Sequence, residues 1–380
     1  MELVERRVTN ANSLYKAALK TRKSAPKKYE VQRFMRDVLI EIDYAIDNVR
    51  KRTWKLTPVN PFIINERGHI RKIEGNIPYD RMILHSYIDN GLSPVLDPYL
   101  SYDNYASQKG KGVKLARTRF ADMMHRAYRL YGNKFYVLEI DFSKFYDNIQ
   151  HQLLYDKIIE KTGYSKFHEY MLWTIFDNFK VDVSYMSYSE YLDCLDQMYV
   201  ALDHIYDKPV GKYYMYKSIK IGNPASQVFS IFYPTEIDNF LRIVEGNRLT
   251  GRYMDDTVIL HNDLQYLYDV LSKVEEKCFK MGIFINRKKT KIYEADKNFI
   301  YLNHIYRLNN NGHLFEHLEP TTIYRERQKI KKFPELISDG SMTKEKVIQQ
   351  FSSWRGSFYP YMTRIQRQNM TELFNKTLIS

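Results

Sequence analysis

Cysteine is scarce in this chain: only Cys194 and Cys278 occur among 380 residues. Two thiols are too few for a disulfide framework or a four-ligand zinc site. Long apolar runs are missing as well: nothing approaches the roughly 18 residues that a membrane-spanning helix needs. The start, Met1 to Arg7, has no apolar stretch behind it. Neither a membrane span nor a secretory signal is expected, and a cytoplasmic protein is implied. Internal repeats and low-complexity linkers are also absent. Acidic residues are in deficit, 45 against 58 Lys and Arg, which leaves a net charge of +13. Tyrosine is the abundant residue, at 33. With 27% charged and 44% hydrophobic residues, wholesale disorder is excluded. The length suits two or three lobes with a real core. Basic surface with many aromatic rings fits a nucleic-acid partner. An AT-rich genome, which enriches Lys, Asn, Ile and Tyr together, accounts for the same composition.

The positive charge is concentrated at the ends. Residues 1–36 hold ten basic groups against three acids, and residues 321–380 hold eleven against five. Between them, 177–207 is acidic: seven Asp or Glu residues face Lys180 alone. That stretch also carries Tyr185, Tyr188, Tyr191, Tyr199 and Tyr206. Such an inversion marks a surface that does not touch phosphate.

Hydrophobic spacing predicts a helix over 31–50, further helices over 81–96 and 115–131, and another over 264–279 stopped at Gly282. Pro61 to Ile73 reads as a strand pair turned at Glu66-Arg67-Gly68. Phe135 to Ile140 is a short strand ending at Asp141, and Ile300–Leu308 with Leu314–Leu318 reads as a hairpin. The tail is helical, with Thr363 and Gln366 as a capping box. The fold class is α+β.

The sharpest local signal is Arg252-Tyr253-Met254-Asp255-Asp256, set between two strand-forming runs. Adjacent carboxylates repel unless cations neutralise them, and a hard divalent ion with oxygen ligands does so. Asp141, at the end of its own strand, is the candidate third ligand; three carboxylates around two ions suit phosphoryl transfer. An Asp-Asp pair is also ordinary turn chemistry. The pair is accompanied, in order, by Asp141-Phe142-Ser143-Lys144-Phe145-Tyr146-Asp147, by Ile221-Gly222-Asn223-Pro224-Ala225-Ser226-Gln227 upstream of the turn, and by Asn286-Arg287-Lys288-Lys289-Thr290 after it.

This series resembles the palm motifs of reverse transcriptases, over nearly the whole chain. Arg81 to His85 and Tyr105 to Gly112 resemble that family's fingers segments, and Tyr301-Leu302-Asn303 falls at its primer-grip hairpin, with Asn303 in place of Gly. The resemblance implies a right-hand polymerase: an N-terminal extension and fingers over 1–134, a palm of antiparallel sheet plus helices over 135–314, and a helical C-terminal thumb over 315–380. It implies two Mg²⁺ ions, with Mn²⁺ as the alternative, held by Asp141, Asp255, Asp256 and the Phe142 carbonyl. It places Tyr146 as a steric gate against ribonucleotides, and Arg71 and Arg81 at the incoming triphosphate. Lys289 becomes a proton donor to pyrophosphate. Ile221, Gly222 and Gln227 line the nascent pair.

Many members of the family carry Gln where Ile221 stands. The Ile variant resembles reverse transcriptases of diversity-generating retroelements and prokaryotic antiphage-defence systems (the abortive-infection and unknown groups). The implied partners are dNTPs, a DNA product and a template RNA, specifically a structured noncoding RNA in a defence setting. The alternatives are a retroelement enzyme or a template-free, protein-primed nucleotidyl transferase. The 177–207 insert is read as a protein-partner or self-association surface. Trp354 and Phe358 in the C-terminal segment read as core rather than as stacking platforms.

Overall fold

The computed structural model describes residues 1–66, 69–196 and 211–379. The predicted turn residues Arg67 and Gly68, and the stretch 197–207 of the insert, lie outside the described residues. The chain forms two compact units. The first comprises Met1–Gly112, Glu139–Ile259 and Gln265–Lys291; the second comprises Val113–Leu138, Leu260–Leu264 and Ile292–Ser380. Among the described residues no helix is long and apolar enough to cross a membrane.

The first unit opens with helices Leu3–Val8, Ala11–Ser24, Tyr29–Arg36 and Val38–Arg50. Asn10 starts the second of these, its side chain accepting from Asn12 and Ser13 amides at 3.0 and 3.2 Å. The helix expected over 31–50 is interrupted at Asp37, whose φ of −105° and ψ of 20° leave the helical basin. Leu14, Ala17 and Ala18 are buried where the helix Ala11–Ser24 packs on Pro78–Tyr87. Strands Phe62–Glu66 and His69–Ile73 pair antiparallel, with Ile64 opposite Arg71. Helix Lys166–Phe179 buries Phe167, Met171, Leu172, Ile175, Phe176 and Phe179, the three-to-four spacing of one apolar face.

The acidic insert is a small excursion. Val181–Asp182 pairs antiparallel with Tyr214–Met215, and the helix Tyr188–Asp196 lies between them in sequence. Tyr191 and Tyr213 stack at 4.9 Å over the buried Val181, Val183 and Met215. Within the first unit, Thr250–Tyr253 pairs antiparallel with the start of the strand Asp256–His261, Thr250 opposite Ile259.

In the second unit, helix Val113–Tyr131 packs Phe120 against Phe299, Tyr301 and Tyr306 with ring centroids 4.6 to 6.0 Å apart. The predicted hairpin is instead a three-stranded sheet. Its first arm turns back at Leu302-Asn303, so that Phe299–Tyr301 pairs with His304–Leu308, which pairs with Leu314–Leu318. Leu302 and Asn303 both have positive φ, 47° and 65°. Asn tolerates that basin, so glycine is not required there. Arg117 holds the Leu302 carbonyl with two hydrogen bonds of 3.2 and 2.7 Å. Helices Pro320–Ser338, Lys344–Phe358 and Arg364–Ile379 close around Ile330, Phe333, Val347, Phe351 and Phe374. Trp354 and Phe358 pack against this cluster, as expected of core residues. Thr363 and Gln366 exchange backbone-to-side-chain bonds of 3.0 and 3.2 Å, a complete capping box.

Candidate active site

The Asp255-Asp256 pair sits on a two-residue hairpin. Tyr253 pairs with Asp256 in the ladder, so Met254 and Asp255 form the connection and Asp256 begins the next strand. Met254 has φ of +58°. A side-chain-bearing residue held in that region costs about 1–3 kcal/mol and persists only where surrounding bonds enforce it. Here Arg252 supplies such a bond, donating from Nη1 to the Met254 carbonyl at 2.8 Å.

Asp141 follows the strand Tyr136–Ile140 directly. Its carbonyl accepts from the Asn286 amide at 2.8 Å, and its own amide donates to Thr290 Oγ1 at 3.3 Å. The loop 286–290 is thereby fastened beneath it, which brings Lys289 Nζ to 3.4 Å from Asp141 Oδ1. Lys289 is largely exposed and Asp141 is not, 61% against 14% of the side chain. Phe142 is buried and pairs with Ile285.

Asp141 acts on both carboxylates of the Asp255-Asp256 pair. Burial raises the proton affinity of Asp255, and Asp141 adds to it, while Lys289 and Arg71 pull it back. Asp256 is pushed up to about 8 by burial first, then by Asp255, Glu139 and Asp141, with Lys289 opposing. A site that raises the pKa of its own carboxylates is short of positive charge. Their hard oxygen donors and this excess of negative charge suit divalent cations. Among the described residues, no three His, Cys, Asp or Glu side chains converge as a ready-made cation cage.

Tyr146 lies on the short helix Phe145–Asn148, which follows Lys144 in the left-handed conformation, φ 43°. Its hydroxyl donates to Ser230 Oγ at 3.3 Å, and its carbonyl accepts from the Ile219 amide at 2.9 Å. Burial raises its pKa, and Asp255 adds to that while the Ser230 bond and Arg71 offset it. Arg71 therefore acts electrostatically on both Asp255 and Tyr146. It also lines a cleft of about 280 Å³ together with Lys72, Glu74, Asp147, Lys220 and Ile221.

Ile221 and Gly222 precede the helix Pro224–Phe232, which Asn223 caps by accepting from the Ala225 amide at 2.8 Å. Gly222 has φ of +106°, and a Cβ there would lie 3.2 Å from the Glu74 carbonyl carbon and the Gly75 nitrogen. Gln227 is exposed on that helix; its carbonyl accepts from Ser230 Oγ at 3.0 Å. Arg81 is placed differently from Arg71. Burial lowers its pKa, its Nε is buried without a hydrogen-bond partner, and its charge acts on His85, which is pushed down to about 3 chiefly by burial.

Glu139, Glu74, Ser230 and Asp238 lie outside the motifs, and Arg252 stands in one without an assigned role. Glu139 adds to the field at Asp256. Glu74 bridges Lys72 and Lys220 at 2.9 and 2.5 Å. The available signal for Arg252 was its position: a lone arginine in a strand next to the two aspartates has to bury its charge against a partner.

A family model described as reverse transcriptase (RNA-dependent DNA polymerase) matches residues 63–306. No curated protein matches the sequence. Among solved structures, a telomerase from Candida albicans with a fragment of telomeric RNA is similar at 14% identity and a TM-score of 0.46, over 89% of this chain and 58% of that one. An apo telomerase from Candida tropicalis is similar at 13% identity and a TM-score of 0.42, over 70% of this chain and 58% of that one. The chain thus spans well under two thirds of either telomerase structure. The family match covers the strand pair bearing Arg71, all three aspartates and the turn at Leu302. The chain belongs to the reverse transcriptase family.

Proposed function

We propose that the protein is an RNA-directed DNA polymerase, joining a primer 3′-hydroxyl to the α-phosphate of a dNTP with loss of pyrophosphate. The observation that carries this reading is the grouping of Asp141 with Asp255 and Asp256, whose proton affinities burial and Asp141 raise, beside Tyr146 and Arg71. Asp141, Asp255, Asp256 and the Phe142 carbonyl would hold two Mg²⁺ ions. Those ions, when bound, supply charge neutralisation for the entering triphosphate and the departing pyrophosphate. Arg71 faces the triphosphate, Tyr146 excludes a 2′-hydroxyl, and Lys289 carries a proton to the leaving group. Arg81 is the second proposed triphosphate contact, and its unpartnered Nε is a donor left over for an anion. Residues 1–134, 135–314 and 315–380 are read as extension with fingers, palm, and thumb.

Primer extension with dNTPs or rNTPs, with and without an RNA template, tests the reading. Template-dependent dNTP addition that disappears in Asp255→Ala supports it. Full synthesis by that variant, or no dNTP addition by the wild type, overturns it.

The natural template is proposed to be a structured noncoding RNA used in antiphage defence. The basic residues 1–36 and the acidic insert support this setting, the first as an RNA grip and the second as a partner surface. The Ile221 variant also fits a diversity-generating retroelement. A template repeat beside a variable target gene would select the retroelement reading.

A further inference from the structure

We infer that Arg252, backed by Asp238, is a positioning residue that aims the Asp255 carboxylate; its effect on rate rests on the polymerase reading above. Arg252 is 1% exposed and Asp238 is 6% exposed. Burying a guanidinium is costly unless its donors are bonded and its charge is paired. Both conditions are met. Nε and Nη2 donate to the two Asp238 oxygens at 2.7 Å each, Nη2 donates also to the Ile231 carbonyl at 2.9 Å, and Nη1 donates to the Met254 carbonyl at 2.8 Å.

Three of these bonds anchor the guanidinium to packed helices: Asp238 lies on Thr235–Asn239, and Ile231 on Pro224–Phe232. The fourth is directed at the hairpin tip. The Met254 carbonyl belongs to the planar peptide that enters Asp255, so holding that oxygen fixes the N–Cα bond of Asp255, while the pairing of Tyr253 with Asp256 restrains the residue from its other side. The base of the hairpin is pinned as well. The Arg252 amide donates to the Asp103 carbonyl and its carbonyl accepts from the Tyr105 amide, both at 2.9 Å. The Ile231 carbonyl takes a further bond from Asn104 Nδ2 at 3.2 Å. The segment 103–105, bonded to the Arg252 backbone, and the end of the helix Pro224–Phe232 and the tip, bonded to its side chain, are thus joined through one residue. Lysine, with a single point of charge, cannot span the planar fork that meets Asp238 and Met254 together.

The test compares Arg252→Lys, Asp238→Asn and the double variant Arg252→Met/Asp238→Leu, which removes both charges and refills the space with apolar atoms. For each variant the measurements are thermal melting, affinity for an RNA–DNA primer-template, KM for dNTP, single-turnover rate, and hydrogen exchange of amides 250–260. In the double variant, melting, duplex affinity and KM are expected near wild type. The rate should fall by about 100-fold, the scale of an ångström misplacement. Exchange at residues 254–256 should rise by roughly tenfold, as expected of a locally opened turn. Asp238→Asn, which keeps one acceptor, should lie between. A folded double variant that binds duplex and keeps wild-type rate and wild-type exchange overturns the inference. If the wild type adds no nucleotide, the polymerase reading fails on that arm, and unchanged exchange at 254–256 in the double variant still overturns the positioning role.

Discussion

The Glu74 amide donates to the Ile221 carbonyl across 2.8 Å, and this backbone bond joins the strand carrying Arg71 to the turn Ile221-Gly222. The Glu74 carboxylate reinforces the junction from its side chain, taking Lys72 at 2.9 Å and Lys220 at 2.5 Å. Burial opposes the charge on Glu74, and the two lysines more than offset it, so its pKa is lowered. Two of the proposed nucleotide-facing positions are therefore set relative to each other by a third residue.

Gly222 is the tightest point of that junction. Gly222→Ala would place a methyl 3.0 Å from Ile73 Cγ2 and 3.2 Å from the backbone of Glu74 and Gly75, at a φ of +106°. Destabilisation of about 1–3 kcal/mol is expected from the backbone conformation alone. Thermal melting reads the stability, and a raised KM for dNTP should accompany it. A variant with unchanged melting and KM contradicts the prediction.

Ile221 offers an apolar side chain to the cleft while its carbonyl is occupied by Glu74. Ile221→Gln should leave stability nearly unchanged and lower misincorporation, because an amide can hydrogen-bond where a butyl group cannot. Sequencing of products copied from one RNA template measures this. Equal error spectra for the two proteins would remove Ile221 from any account of fidelity.

Tyr146 separates shape from hydrogen bonding. Tyr146→Phe removes a single neutral bond to Ser230, at 3.3 Å, and should cost about 0.5–1.5 kcal/mol of stability with discrimination intact. Tyr146→Val removes the ring, and use of rNTP relative to dNTP should rise roughly 10- to 100-fold. The ratio of kcat/KM values for the two nucleotides is the measurement, and an unchanged ratio in Tyr146→Val excludes the gate role.

His151 makes stability depend on pH away from the carboxylates. It is fully buried, stacks on Phe176 at 4.7 Å, and its Nε2 donates to the Ser218 carbonyl at 2.7 Å. Burial holds its pKa down to about 4. The native state keeps it neutral, whereas the unfolded chain takes up a proton near pH 6.5, so its contribution is lost as pH falls from 6.5 to 4. His151→Gln should be less stable at pH 7.5. Its disadvantage should shrink by about 1.4 kcal/mol per pH unit below 6. Denaturant melts between pH 4.5 and 7.5 check this, and parallel curves would contradict it.

Much of the fold was legible because its signals are local. The strand ending at Asp141, the helix stopped at Gly282 and the Thr363–Gln366 box all depend on residues within a few positions of one another. Where local signals were misread, backbone conformation was the cause. The 31–50 helix breaks at Asp37, and the arm 300–308 reverses at two left-handed residues. Apolar spacing does not report either event. The motif residues were legible as types, but the 3.4 Å approach of Lys289 to Asp141 joins positions 148 residues apart. Arg81, grouped with Arg71 by resemblance, lies on the helix Pro78–Tyr87, where its charge acts on His85 one turn away.

By itself the sequence determined the order of the motifs, a thiol content too low for a disulfide framework, and the presence of three aspartates within those motifs. Only the tertiary structure decided which groups tie the motif segments to one another. Glu74, Ser230, Asp238 and the guanidinium of Arg252 act through hydrogen bonds between distant segments. Such bonds depend on distance and direction in three dimensions, which chain spacing does not encode. The two ordinary aspartates of a β-turn and the two raised carboxylates of this site have the same letters; burial beside Glu139 and Asp141 makes the difference.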